Sequence, residues 1–279
     1  MKTDNYDKGA LVDDLYMDYI NRVARMTLAE NYKSQLRYAQ PSAKYHQTAG
    51  GRAVAAPFPG YSIMTPVRAD DPRNEKTYAA LEGLQTQLND ALSDVVAMVP
   101  PSSFHLTLAD LIWDDDYRAA AQSPDFHSKL HSAIAASFQS YKSHAEAIGA
   151  PCMWQILGLV VMPRAIGVGL APKTEAAYRQ ILDLRRSIYQ NRNLMALGVE
   201  QQYHLTAHIT LGYFTEQIDT TDRAAVQDTV TALNAEWQDN SDVQLFQVYD
   251  VELRKFEDMA TFPREPDWPK VTLADTPKG

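Results

Sequence analysis

Apolar residues recur along this chain with two periods that alternate. Tyr78, Leu81, Leu84, Leu88, Leu92 and Val95 fall at helical spacing, as do Phe126, Leu130, Ile134, Phe138, Tyr141 and Ala145. Tyr178, Ile181, Leu184 and Ile188 form a third stripe, and Val226, Val230, Leu233 and Trp237 a fourth. They predict core-facing helices over 74–97, 125–147, 174–195 and 222–238. Between them lie runs rich in β-branched, aromatic and Leu residues, which predict strands at Tyr61–Val67, Phe104–Trp113, Met153–Met162, His204–Phe214 and Val243–Leu253. Ile166–Leu170 is a weaker strand candidate because Gly167 and Gly169 interrupt it.

The order of these elements repeats. Strand, helix, strand, helix, strand runs over 61–162 and again over 166–253. The pattern predicts an α+β fold, bilobal, built from a duplicated β-α-β-α-β unit with two sheets facing a central cleft. The lobes are expected at roughly 51–162 and 163–261, with strands free to exchange between them. Residues 1–50 read as an N-terminal helical arm, with one or two helices between Leu11 and Leu36. Residues 262–279, with four prolines, read as an irregular tail.

Composition narrows the function classes. The chain has 279 residues, is 45% hydrophobic and 22% charged, and carries a net charge of −9. That charge argues against a long nucleic acid as partner, since backbone capture needs a basic surface. A small nucleotide stays compatible, because a few local cations suffice for one phosphate. Cys152 is the only cysteine, so no intrachain disulfide forms and a reducing compartment fits. The N-terminus lacks the apolar core of a signal peptide, and no apolar window approaches the ~18 residues of a membrane span. A cytoplasmic protein without membrane contact is the expectation; the sequence leaves the oligomeric state open.

The histidines carry the chemistry. With 7 His and 18 Thr in 279 residues, chance gives about 0.5 His-x-Thr triplets. Four occur, at His46, His105, His204 and His208. On a strand, residues i and i+2 share a face, so His and Thr project together while the middle aliphatic residue packs behind. His105-Leu106-Thr107-Leu108 and His208-Ile209-Thr210-Leu211 fit that alternation, whereas His46-Gln47-Thr48 has a polar centre in a loop-like stretch. A shared zinc for His204 and His208 is disfavoured. Four strand residues span about 13 Å, and the helical zinc motif's glutamate is missing. No metal or cofactor is called for. His204 shares the parity of His208 and is expected at a rim or as a substrate contact.

Cleavage of a phosphodiester needs a base for the attacking oxygen and an acid for the leaving oxygen, placed on opposite sides of phosphorus. Histidine titrates near neutrality and serves either role. Two His-x-Thr strands in matching elements of a repeated unit supply such a pair. The threonine hydroxyls, Thr107 and Thr210, stand where they donate to non-bridging oxygens.

At this point the chain resembles a known family. Phe104-His105-Leu106-Thr107-Leu108 and Ala207-His208-Ile209-Thr210-Leu211 resemble the signature of the two-histidine (2H) phosphoesterase superfamily, two His-x-Thr/Ser-aliphatic motifs in a duplicated bilobal α+β fold. Pro100-Pro101-Ser102-Ser103 and Pro57-Phe58-Pro59-Gly60 are similar to a bacterial branch of unassigned substrate, related to RNA 2′,3′-cyclic phosphodiesterases. The resemblance covers about residues 52–256. It implies a metal-independent phosphodiesterase acting on a small cyclic or oligonucleotide substrate, of 2′,3′-cyclic phosphate, cyclic dinucleotide or 2′,5′-oligoadenylate type. It also implies His105 and His208 as acid and base, with Thr107 and Thr210 on the phosphate. The alternative is a non-catalytic nucleotide- or phosphate-binding regulatory module.

One departure stands out. Several relatives place Arg or Lys soon after the second motif, where this chain has Gly212-Tyr213-Phe214. Tyr213 is a candidate donor in its place. Tyr61 is a further candidate contact, and Arg254, Lys255, Arg52 and Arg164 are candidate cations.

Overall fold

A computed structural model describes residues 13–48, 53–144, 151–216, 218, 222–239 and 245–273. In chain order, the N-terminal region forms helices α1 (Tyr16–Met26) and α2 (Ala29–Leu36), then strands β1 (Tyr45–Gln47) and β2 (Ala53–Ala55). Next come β3 (Gly60–Met64), α3 (Glu75–Leu92), β4 (Val96–Met98), β5 (Thr107–Trp113), α4 (Asp114–Ala120), α5 (Phe126–His144) and β6 (Met153–Met162). The rest is β7 (Ala165–Pro172), α6 (Glu175–Tyr189), α7 (Arg192–Met195), β8 (His208–Phe214), α8 (Asp222–Asp239), β9 (Leu245–Gln247), β10 (Asp250–Phe256) and β11 (Lys270–Thr272).

The helices form where the apolar stripes lie. Tyr78, Leu81, Leu84, Leu88 and Leu92 are the buried face of α3, and Thr174 caps α6 by accepting from the Ala177 N–H at 3.1 Å. Chain 74–97 is not one helix, however: α3 stops at Leu92, and Val96–Met98 turns back as β4. The glycine-interrupted candidate is a full strand, β7, buried at every position. Gly167 belongs there because β8 crosses so closely that a Cβ would collide with the Ile209 carbonyl oxygen.

Two antiparallel sheets form the body, with strand orders β11-β10-β3-β5 and β4-β8-β7-β6-β9. Each half of the chain keeps its first and third elements together, strand β3 with β5 and β7 with β8. Each half also sends its fifth element, a strand, across: β10 pairs with β3, and β6 pairs with β7. The 162/163 boundary between the expected lobes therefore falls in the turn of the β6–β7 hairpin. The exchange ties the halves through backbone hydrogen bonds as well as side-chain packing.

Helices cover the outer faces. α1, α2 and α8 pack on the five-stranded sheet, and α4, α5 and α6 lie on the side of the four-stranded one. The N-terminal helices thus differ from a free arm. Tyr19 and Tyr32 are fully buried, and their hydroxyls donate to the carbonyls of Leu170 and Leu159 at 2.8 Å. The C-terminal segment also has structure of its own, since β11 extends the four-stranded sheet and Phe262 is buried. No described helix is long and apolar enough to cross a membrane.

Candidate active site

The inner faces of the two sheets enclose a cleft of about 520 Å³. Its lining includes His105, Thr107, His208, Thr210 and Tyr213 from the motif regions, and Lys44, Phe58, Ser62, Asp110, Trp113, Arg164, Tyr203 and Phe262 from elsewhere.

Both motifs use the same local device. His105 precedes β5 rather than lying within it, whereas His208 is the first residue of β8. His105 Nδ1 lies 2.7 Å from the Ser103 carbonyl, and His208 Nδ1 lies 2.7 Å from the Thr206 carbonyl. A carbonyl only accepts, so each Nδ1 carries a proton. In the neutral ring, that leaves the Nε2 lone pair as the free proton-accepting position. Neither threonine hydroxyl has a protein hydrogen-bond partner among the described residues, so both are open to the cleft.

Bulges decide which other side chains enter. Along β5 the register shifts twice, so that Gly60, Ser62 and Met64 face Trp113, Asp110 and Thr107. Leu111 and Leu108 are the extra residues, and the inward spacing becomes three instead of two. This brings Asp110 to the cleft floor, where Ser62 Oγ lies 3.4 Å from its Oδ1. A third shift makes Leu211 the extra residue in β8 and turns Tyr213 to the same side as His208 and Thr210.

The electrostatic settings of the two rings differ. Burial pushes the His105 imidazole down to about 4, with the Ser103 carbonyl opposing and positive charge at His208, Arg254 and Lys44 adding to the depression. Burial also lowers His208, while the Thr206 carbonyl and the Asp110 carboxylate oppose it and Lys44 adds to it. The Phe262 ring packs edge-on against His105, with centroids 4.4 Å apart.

Four of the described candidates from sequence, Tyr61, His204, Arg254 and Lys255, are not in the cleft lining. Tyr61 points to the other face of β3, where it is buried against Tyr117, His127, His131 and Trp268; strand alternation gives the cleft to Ser62 instead. His204 precedes β8, and its 45% exposed side chain stands 4.0 Å from Asp14. Arg254 is buried in ion pairs with Glu252 at 2.6 Å and Asp70 at 2.8 Å, and it donates to the Phe262 carbonyl at 2.8 Å. It fixes the segment behind His105 and has no open route to a ligand. Lys255 pairs with Glu257 at 2.5 Å, Arg164 lines the cleft and Arg52 lies outside the described residues.

Residues the sequence reading missed include Asp110, a lone acid in an apolar run, and Lys44, carried in by the N-terminal segment. Among the described residues no three His, Cys, Asp or Glu side chains are grouped to hold a metal ion. Cys152 is buried at the strand edge, and burial pushes its thiol up to about 12.

Residues 47–147, which contain the first motif but not the second, match the model of the 2H-phosphodiest family, described as a domain of unknown function (DUF1868). Over that stretch the chain is similar to the two-histidine phosphoesterases.

Among solved structures, the conserved protein of unknown function ATU0111 from Agrobacterium tumefaciens shares the fold, with 18% identity and a TM-score of 0.52 over 83% of this chain and 95% of that one. LigT of E. coli in its apo form is similar at 14% identity and a TM-score of 0.43, over 79% of this chain and 100% of that one. Usb1 of Kluyveromyces marxianus with uridine monophosphate is similar at 10% identity and a TM-score of 0.40, over 78% and 97%. No curated protein sequence matches the chain.

Proposed function

We propose that this protein is a metal-independent phosphodiesterase that hydrolyses a small cyclic or oligonucleotide phosphodiester, with His105 as general base and His208 as general acid. The observation that carries the reading is the matched pair of imidazoles, each with Nδ1 held at 2.7 Å by the carbonyl two residues before it and each lining the same cleft. A volume of about 520 Å³ suits a nucleotide-sized ligand.

In the proposed reaction, His105 Nε2 takes a proton from water as its oxygen bonds to phosphorus. The bond from phosphorus to the leaving ribose oxygen breaks, and His208 Nε2–H protonates that oxygen. The two protons balance, and solvent exchange restores both rings. Thr107 and Thr210 donate to the non-bridging oxygens as their charge grows. The roles follow from the surroundings. His105 is kept neutral by burial and nearby cations, while Asp110 supports the protonated form of His208.

The test is turnover of 2′,3′-cyclic nucleotides, cyclic dinucleotides and 2′,5′-oligoadenylates, with and without EDTA. Turnover that survives EDTA and vanishes in both His105→Ala and His208→Ala is the expected result. Tight binding without turnover across the panel would instead make the protein a nucleotide-binding module.

A further inference from the structure

We propose that Lys44 is the cation that holds the substrate phosphate in this cleft, delivered by the N-terminal segment. The proposal rests on the two-histidine reading above.

Its first support is placement. Lys44 lines the cleft together with both histidines and both threonines. Its charge also lowers His105 and His208 alike, in keeping with that shared lining. Arg164 is the other lysine or arginine in the lining. Its guanidinium points to Gln40 Oε1 at 3.4 Å.

The second support is its partners. Among the described residues, Lys44 makes no ion pair, whereas Arg254 and Lys255 are each held by carboxylates. Its Nζ lies instead over two aromatic faces, 5.0 Å from the Phe58 centroid and 5.3 Å from that of Tyr213. Ring faces attract and orient an ammonium without neutralising it. An arriving phosphate therefore meets a full positive charge and need not displace a carboxylate.

The third support is the anchoring of the segment. The Ser42 N–H donates to the Phe214 carbonyl at 2.8 Å, and the Ala56 N–H donates to the Lys44 carbonyl at 2.9 Å. Tyr45 stacks on Tyr213 with centroids 5.4 Å apart. The Tyr213 ring thus meets both the Lys44 ammonium and the Tyr45 ring beside it. Lys44 lies outside the family-matched residues 47–147.

The experiment compares wild type, Lys44→Met and Lys44→Arg. Methionine keeps much of the apolar stem and removes the charge, and arginine restores it. Inorganic phosphate is titrated against each by ³¹P line broadening, the histidine ring protons are followed through a pH series, and KM and kcat are measured on 2′,3′-cyclic AMP or whichever panel member turns over. Lys44→Met is expected to weaken phosphate binding and raise KM by about tenfold or more, the scale of one charge-assisted hydrogen bond. Lys44→Arg is expected to recover most of that loss. Both ring pKa values rise in Lys44→Met as a neighbouring positive charge disappears.

Unchanged phosphate affinity in a folded Lys44→Met protein overturns the proposal, as does a wild type that binds no phosphate. A wild type that binds phosphate but turns over none of the panel sinks the enzymatic reading alone. In that case Lys44 still stands or falls on the phosphate titration of Lys44→Met.

Discussion

The two histidine motifs share a backbone device and differ in what surrounds it. At the first motif, the support comes from within the duplicated unit. Thr65, just after β3, accepts from the Leu106 N–H through its hydroxyl at 3.0 Å, and its own N–H donates to the Leu106 carbonyl at 3.0 Å. At the second, the support comes from the N-terminal region. Asp13 accepts from the Leu205 N–H at 2.6 Å, Arg22 donates to the Leu205 carbonyl at 2.6 Å and to Thr206 Oγ1 at 2.7 Å, and the Tyr19 hydroxyl accepts from the Ala207 N–H at 3.1 Å. The charged neighbours differ as well, Arg254 bearing on His105 and Asp110 on His208. A duplicated scaffold thus presents two like imidazoles in unlike fields, which is what a base and an acid require.

The strongest way to break that comparison is to remove each ring. His105→Ala and His208→Ala are each expected to lower kcat/KM by about 10³, within the range for one positioned proton-transfer group. The double variant should be little worse, since the pair acts as a unit. Leaving groups separate the roles. A p-nitrophenyl ester leaves without protonation, so it should restore much of the rate to His208→Ala and none to His105→Ala. Equal restoration in both would erase the assigned difference.

Next in size is the carboxylate. Asp110→Asn removes the negative charge that favours protonated His208. The basic limb of kcat/KM is expected to move toward acid, with a loss of activity at pH 7 that acidification restores. Wild type itself should show its free-enzyme optimum below 6.5, because both rings are lowered, His105 to about 4. An unmoved basic limb in Asp110→Asn would mean that Asp110 does not act on the acid.

The supports can be compared in the same way. Arg22→Leu removes the donors that hold Leu205 and Thr206, the second of which supplies the carbonyl that fixes His208. It should reduce kcat by about threefold to tenfold, as misplacement of a catalytic group does. His105, supported through Thr65, should keep its own titration. A histidine titration series in which both rings move together would show that the supports are not separate.

Much of this was legible in the sequence because apolar periodicity and element order are local properties. The swap of β6 and β10 leaves the motif positions in β5 and β8 equivalent, so repeated element order was a sound guide to a shared cleft. Three features resisted. The bulges in β5 break the two-residue alternation, and only the unexplained acid in Thr107-Leu108-Ala109-Asp110-Leu111 hints at them. Tyr61 and Arg254 lie outside the cleft lining, and residue type says nothing about which face a strand presents or whether a cation is already paired. Lys44 reaches the cleft through a long-range packing arrangement, and Tyr19 with Val23 and Tyr32 with Leu36 were the only sequence signs that the N-terminal helices have a buried face.

The smallest effect expected concerns stability. His105 is depressed to about 4 in the folded chain and has an ordinary value near 6.5 when unfolded. Between those values the unfolded chain binds a proton that the folded chain refuses, so stability is full above about 6.5 and is lost as pH falls toward 4. His105→Ala lacks this linkage. From pH 7 to pH 4.5, wild type should therefore lose on the order of 5 °C more in Tm than the variant does, the linkage amounting to about 2.5 kcal/mol at roughly 2 °C per kcal/mol in a chain of this size. His208 is lowered against the opposing pull of Asp110, so His208→Ala should remove less of the acid sensitivity. Parallel melting curves for wild type and both variants would mean that the two rings sense similar, water-like surroundings. The contrast between the motifs would then reduce to their backbone supports.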